Sequence, residues 1–214
     1  MLSGVLPERI EQYLTDFVPP RPEELRTMEQ EAERAGFPII GPACGHFCYL
    51  VARMIGAHRV FEMGSGYGYS TAWFARAVHE NGGGTVFHVV WDADLSAQAH
   101  GHLAALGYAE DLEYRVGEAV ETLKTTPGLF DLIFLDIDKE GYPGALPLIA
   151  SKIRPGGVLL ADNMLRRGRV VDPADQSPPT ESIRLFTRMV TDNPAWLASI
   201  IPIRDGLLLA WKQS

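Results

Sequence analysis

The 214-residue sequence predicts an α/β fold, a mostly parallel sheet covered on both faces by helices. Three observations predict it. Short apolar runs alternate with stretches of helical spacing between residues 59 and 161, a pattern that implies parallel strands joined by right-handed crossovers. A glycine-rich turn, Gly64-Ser65-Gly66-Tyr67-Gly68, follows the first run. Two polar strings, Asp136-Ile137-Asp138-Lys139 and Asp162-Asn163, follow strongly apolar runs, the place where open α/β sheets present ligand-binding groups.

Residues 7–17 and 22–35 read as two N-terminal helices parted by Pro19-Pro20-Arg21-Pro22. Residues 41–56 carry Phe47, Leu50, Val51, Met54 and Ile55 at helical spacing. The alternation then runs strand 59–63, helix 70–79, strand 85–90, helix 95–106, strand 112–116 and helix 119–124. Strand 130–135, helix 142–153 and strand 158–161 complete it. Residues 172–180 read as a surface loop and 180–191 as a last helix. Two apolar runs, 196–203 and 207–211, joined by Arg204-Asp205-Gly206, suggest an antiparallel hairpin at the sheet edge.

Composition excludes several classes. A formal net charge of −8 disfavours a nucleic-acid surface, and the cluster Arg166, Arg167 and Arg169 is too small to reverse that. No apolar stretch approaches the roughly 20 residues needed to span a bilayer, so no membrane role is expected. The first twenty residues carry Glu8, Glu11 and Asp16 without a basic-then-apolar leader, so no signal peptide is expected and the cytoplasm is the default compartment. Hydrophobic residues make up 46% of the chain, enough for one domain with a substantial core. Cys44 and Cys48, one helical turn apart in an apolar segment, read as buried thiols.

The strand-end residues carry the chemistry. Two carboxylates and an amide oxygen, from Asp136, Asp162 and Asn163, would make a hard pocket suited to Mg²⁺, Ca²⁺ or Mn²⁺. Lys139 beside such a cation would shed its proton more easily and could serve as a base. Asp138 is read as touching cofactor or substrate, or only loop amides. Glu62, just before the glycines, would repel a pyrophosphate but suit a ligand bearing ammonium and sulfonium groups. Tyr69 stands where G-x-G-x-x-G requires its third glycine, which also argues against a nicotinamide cofactor. Asp92, with Ala93 beside it, is placed to hold the ribose hydroxyls of an adenosine moiety or to lie at a helix N-cap, with Asp94 read as the cap itself. Gly117-Glu118-Ala119 suits backbone contacts along an adenine edge. His100 and His102 lie two apart on a helix and face different ways, and Trp73, Trp91 and Trp196 read as core or sheet-surface aromatics.

The strings 62–70, 136–139 and 162–165, with the closing hairpin 202–207, resemble the cation-dependent O-methyltransferases, the family of catechol and caffeoyl-coenzyme A O-methyltransferases. The likeness spans residues 40–212. It implies a Rossmann-like class I methyltransferase with a seven-stranded, mostly parallel sheet. The expected organisation is a single domain, 1–214, with residues 1–40 as a helical cap on a donor-binding core, 41–214. The resemblance implies S-adenosyl-L-methionine as donor and a divalent cation, usually magnesium. Asp136, Asp162 and Asn163 would hold the metal and Lys139 would be the base. Glu62, Gly64, Gly66, Ser70, Asp92, Ala93, Gly117, Glu118, Ala119, Asp136 and Asp138 would line the donor site, with Ile40 and Gly41 closing over it. A small aromatic hydroxyl acceptor and a homodimer are also implied. Arg166-Arg167 departs from the aromatic residue found there in many relatives, which suggests an acidic group on the acceptor or merely a solvated basic loop. Two rival readings remain: a metal-independent methyltransferase using another acceptor atom, and a non-catalytic S-adenosylmethionine-binding or assembly protein with a vestigial metal site.

Overall fold

The computed structural model describes residues 6–213. The first five residues of the expected N-terminal cap, and Ser214, lie outside the described residues. Helices α1 (Glu8–Asp16), α2 (Glu23–Ala35) and α3 (Gly41–Met54) precede the alternating region. There follow β1 (Arg59–Met63), α4 (Tyr69–Glu80), β2 (Thr85–Val90), α5 (Ala93–Ala105), β3 (Leu112–Val116) and α6 (Ala119–Thr125). The chain ends with β4 (Phe130–Leu135), α7 (Tyr142–Lys152), β5 (Ile153–Ala161), α8 (Pro178–Thr191), β6 (Trp196–Ile201) and β7 (Leu207–Lys212).

The seven strands lie in the order β3-β2-β1-β4-β5-β7-β6. All neighbouring pairs from β3 to β5 are parallel, whereas β7 runs antiparallel to both β5 and β6. This is the expected sheet with its C-terminal hairpin, the class I methyltransferase architecture. The central strands are mostly apolar because both faces are covered, with Glu62 and His88 as buried polar exceptions. On one face α2, α3, α4 and α5 pack Met28, Cys48, Trp73, Phe74 and Leu103 over Val60, Leu132 and Phe134. On the other, α6, α7 and α8 pack Leu123, Tyr142, Ile149 and Phe186 over Phe61, Ile133 and Leu159.

Three local expectations need correction. Helix α5 starts at Ala93, earlier than expected, and its N-cap is Asp92 rather than Asp94: Asp92 Oδ1 accepts from the amides of Asp94 (2.8 Å) and Leu95 (3.1 Å). Of two nearby acids, the one whose backbone is still extended at the strand exit can fold its carboxylate back over the free amides. Strand β5 starts at Ile153, because a register shift between Phe130 and Leu132 takes up the irregular Pro155-Gly156-Gly157 stretch. Trp73 and Trp196 are core residues, but Trp91 is 82% exposed, since it lies one residue past the end of β2.

Candidate active site

The order of the sheet reverses between β1 and β4, and at such a switch point the loops leaving neighbouring strands part to form a crevice. Register then decides which side chains meet. Met63 of β1 pairs with Leu135 of β4, and Leu135 with Ala161 of β5. The next residues, Gly64, Asp136 and Asp162, therefore leave the sheet side by side. The amide of Asp136 donates to the Met63 carbonyl (2.9 Å), and the amide of Asp162 to that of Leu135 (3.1 Å). Gly64 is required for this closeness. At φ 95° a β-carbon there would stand 2.2 Å from the Asp136 carbonyl oxygen.

Glu62 is fully buried at the end of β1. Thr71 Oγ1 donates to its Oε2, while Oε1 has no hydrogen-bond partner. Burial pushes this carboxyl up to about 7, assisted by the charge of Asp136 and opposed by the hydroxyls of Ser70, Thr71 and Ser65. A buried acceptor without a donor is expensive, so this oxygen has capacity for a further hydrogen bond.

Asp162 keeps 1% of its surface, and its Oδ1 also lacks a partner. Burial first, then the negative charge of Asp136, raises its carboxyl to about 6; Arg204 and Lys139 pull the other way. Asp136 is thus near enough for its charge to act on Asp162. Asn163 follows in a left-handed conformation (φ 61°). Among the described residues no group of three or more His, Cys, Asp or Glu side chains is arranged to hold a metal; the expected set reaches three only through the Asn163 amide. The orphaned Oδ1 and the paired carboxylates fit a hard cation nonetheless.

Lys139 lies within reach. Its Nζ donates to Asp136 Oδ1 (2.6 Å), the Ile137 carbonyl (3.1 Å) and Tyr142 Oη (2.9 Å), one acceptor for each proton of an ammonium. Tyr142 is a buried residue that motif spacing did not single out. Its hydroxyl lies 2.9 Å from the Leu135 carbonyl and 3.0 Å from that of Asp162, so it fastens both strand ends.

Arg204 was also missed. Its Nη1 donates to Asp162 Oδ2 at 2.8 Å. The topology contains the signal: a β7 antiparallel to β5 must begin where β5 ends, so the turn 202–206 lies at the site. The amides of Met164 and Leu165 donate to the carbonyls of Gly206 (3.0 Å) and Asp205 (2.9 Å), tying the two loops together. All four non-glycine residues with positive φ among those described, Asn163, Arg166, Arg167 and Arg204, belong to these loops. Such strain concentrates where tertiary contacts over-determine the backbone, often at functional sites.

The remaining expected residues divide. Ser70 is buried at the start of α4, close enough to influence Glu62. Phe37 covers Gly66, its ring 3.2 Å from where a β-carbon would stand. Ile40 is buried and Gly41 opens α3, whose Cys48 thiol is pushed well up by burial, by Cys44 and by the charges of Asp162 and Glu62; this helix therefore flanks the site. Asp92 and Ala93 lie past β2, and Gly117, Glu118 and Ala119 past β3, on the same rim of the sheet. Glu118 caps α6 by accepting from Val120 (2.9 Å) and Glu121 (2.7 Å). Asp138 precedes the short turn Lys139–Gly141 without capping it through its side chain. His102 approaches Glu24 and Glu31, while His100 packs against Tyr114, so the two do indeed diverge.

The class I methyltransferase sheet brings a glycine turn, a buried acid and two strand-end carboxylates together at one rim. A family model described as O-methyltransferase matches residues 20–213, and the chain belongs to that family. It is thereby an S-adenosylmethionine-dependent O-methyltransferase by class, and the non-catalytic alternative falls. The catechol O-methyltransferase of Niastella koreensis is 30% identical over 214 residues, covering 95% of this chain and 96% of that protein. The O-methyltransferase of Bacillus cereus, solved in complex with SAH, superposes with a TM-score of 0.85 at 27% identity, covering 96% of this chain and 97% of that one. TomG of Streptomyces achromogenes, an O-methyltransferase of tomaymycin synthesis solved with SAM, gives 0.86 at 26% identity and covers 96% of each chain.

Proposed function

We propose that the chain, acting as one domain over residues 1–214, moves a methyl group from S-adenosylmethionine to a hydroxyl of a small aromatic, catechol-like acceptor. A divalent cation held by Asp136, Asp162 and Asn163 and a base, Lys139, would assist. The observation that carries this reading is the side-by-side exit of Gly64, Asp136 and Asp162, with orphaned buried oxygens on Glu62 and Asp162.

Glu62 Oε1 is available to a donor ammonium, and the second oxygen of Asp92 to a ribose hydroxyl, since Oδ1 is spent on the helix cap. The backbone of Gly117, Glu118 and Ala119 is offered to the adenine edge, with Ala93 and Asp138 flanking. A bound dication would lower the pKa of an acceptor hydroxyl and fix its orientation. Lys139, as the free amine, would accept the proton of the attacking oxygen while the oxygen–methyl bond forms and the methyl–sulfur bond breaks. Burial of Glu62 and Asp162 would make part of the site drier than bulk water, which favours transfer between oppositely charged groups.

A metal-independent mechanism is the second reading, favoured by one observation: Lys139 and Arg204 already pair with Asp136 and Asp162. Turnover of a panel of catechols with Mg²⁺ and with EDTA separates the two. Mono-O-methylated product that depends on Mg²⁺ supports the first reading, and EDTA-resistant transfer the second.

Two further expectations follow from these side chains. A carboxyl near 7 must ionise to hold an ammonium, so donor affinity should tighten as pH rises from about 5.5 to 8, by up to roughly tenfold per unit on the acid side. Calorimetric titration across that range should show the slope in the wild type and a flat profile in Glu62→Gln. The stability contributed by the protonated carboxyl has the opposite sense: it is present below the ordinary 4.5 and lost as pH rises through 7. The second expectation concerns Arg166, whose Nε is buried without a partner. It supports an acidic group on the acceptor. Replacing Arg166 and Arg167 by alanine should raise KM roughly ten- to a hundredfold for an acidic acceptor and little for a neutral one, in steady-state assays of both.

The free, buried Cys44 and Cys48 support a reducing compartment, the cytoplasm. Met54, Leu197 and Trp211 line an apolar groove between α3 and the edge hairpin, a surface suited to a homodimer.

A further inference from the structure

We propose that Arg204 is a built-in rival of the divalent cation, so that a cation binds Asp136, Asp162 and Asn163 only when the guanidinium leaves Asp162. This rests on the cation reading above. Asp162 is more enclosed than Asp136, with 1% of its side chain exposed against 28%, and its partner Arg204 is also 28% exposed. One of its oxygens, Oδ1, is orphaned and the other accepts from Arg204 Nη1 at 2.8 Å. Asp136 Oδ1 is held by Lys139 at 2.6 Å. Two carboxylates therefore already face an ammonium and a guanidinium, one cation to each.

A dication added beside two resident cations meets like charge and occupied carboxylate oxygens in a poorly hydrated place, which is unfavourable unless a resident cation withdraws. Arg204 cannot withdraw by losing a proton, because a guanidinium stays charged at any working pH. It can only move. It sits in the turn between β6 and β7, and its partial exposure gives the side chain room to swing towards solvent.

The backbone points the same way. Arg204 holds φ 51°, a conformation that glycine would adopt without strain. The strained turn is retained with a long cationic side chain whose charged end reaches the carboxylate 42 positions away in sequence. Local turn formation does not ask for that contact.

The test is the affinity of the ligand-free, full-length protein for Mn²⁺, read from the electron paramagnetic resonance of free Mn²⁺. Arg204→Gly fits the backbone and removes the competing charge. It should bind Mn²⁺ more tightly than wild type, by roughly tenfold to a few hundredfold for one positive charge a few Å away. Arg204→Gln, neutral but similar in length, should shift the same way and serves if the glycine variant misfolds. Arg204→Lys keeps the charge and should stay close to wild type. Equal affinity in the wild type and the neutral variants overturns the proposal while the cation site stands. Weaker binding in the neutral variants overturns it too, because Arg204 would then support the site. If no form binds Mn²⁺ at millimolar concentration, the cation reading falls and this proposal with it, and the metal-independent reading gains.

Discussion

Replacing Lys139 by methionine should lower kcat by roughly two to four orders of magnitude, the range for losing a general base, while donor affinity stays near wild type. Methionine keeps most of the side-chain volume but cannot accept or return a proton. The site should survive the change, because the strand ends do not depend on Lys139 alone. Tyr142 keeps its contacts with the Leu135 and Asp162 carbonyls, and Asp136 keeps its backbone bond to Met63. Asp136 loses one of its cationic neighbours, so a modest change in cation affinity is expected alongside. Single-turnover rates with saturating donor isolate the chemical step, and calorimetry with the demethylated donor product checks binding. The pH–rate profile should also lose the limb that reports the base. A kcat within a few-fold of wild type would make Lys139 a strand-end lysine and no more.

Gly64→Ala should produce the largest structural effect. The position combines φ 95° with a β-carbon site 2.2 Å from the Asp136 carbonyl oxygen and 2.9 Å from its carbon. Both atoms belong to backbone, so no side chain can turn aside. The left-handed conformation and the overlap together should cost about 2–5 kcal/mol. In a chain of this length, each kcal/mol shifts Tm by roughly 2–4 °C, so a fall of about 5–20 °C is expected in a thermal scan. Any part of the overlap relieved by displacing the strand-end loops should appear instead as lost donor affinity. Gly82→Ala is the control: it has φ 103° but nothing within 4 Å of its β-carbon site, so it tests the strain without the contact. If both variants melt alike and bind donor alike, the two strand ends do not touch as described.

The fold was legible because its main signal is local. Strands β1, β2 and β4 are mostly apolar runs bounded by turn residues, and β1, β4 and β5 end in an abrupt change to glycine or acidic residues. That change also exposed Glu62, Asp136, Asp162 and Lys139. Legibility failed where the deciding contact was distant or depended on a small difference in backbone geometry. Asp92 and Asp94 both make acceptable caps, and only the extended backbone of Asp92 selects it. Tyr142 looks like any apolar helix residue until β4 and β5 bring two carbonyls to its hydroxyl. Arg204 reads as part of a hairpin turn, and its partner is fixed by strand order rather than by spacing. The antiparallel β7 was expected, so its consequence, a cationic side chain delivered to the end of β5, could have been drawn from topology alone.

The most direct test is a crystal grown with the demethylated donor product and soaked in a manganese salt, examined by anomalous scattering. The account predicts the nucleoside along the rim from the glycine turn to Asp92. It also predicts one strong metal peak, about 2.1 Å from oxygens of Asp136, Asp162 and Asn163, with Arg204 turned away from Asp162. A nucleoside bound elsewhere, or manganese found only away from these three residues, would contradict it.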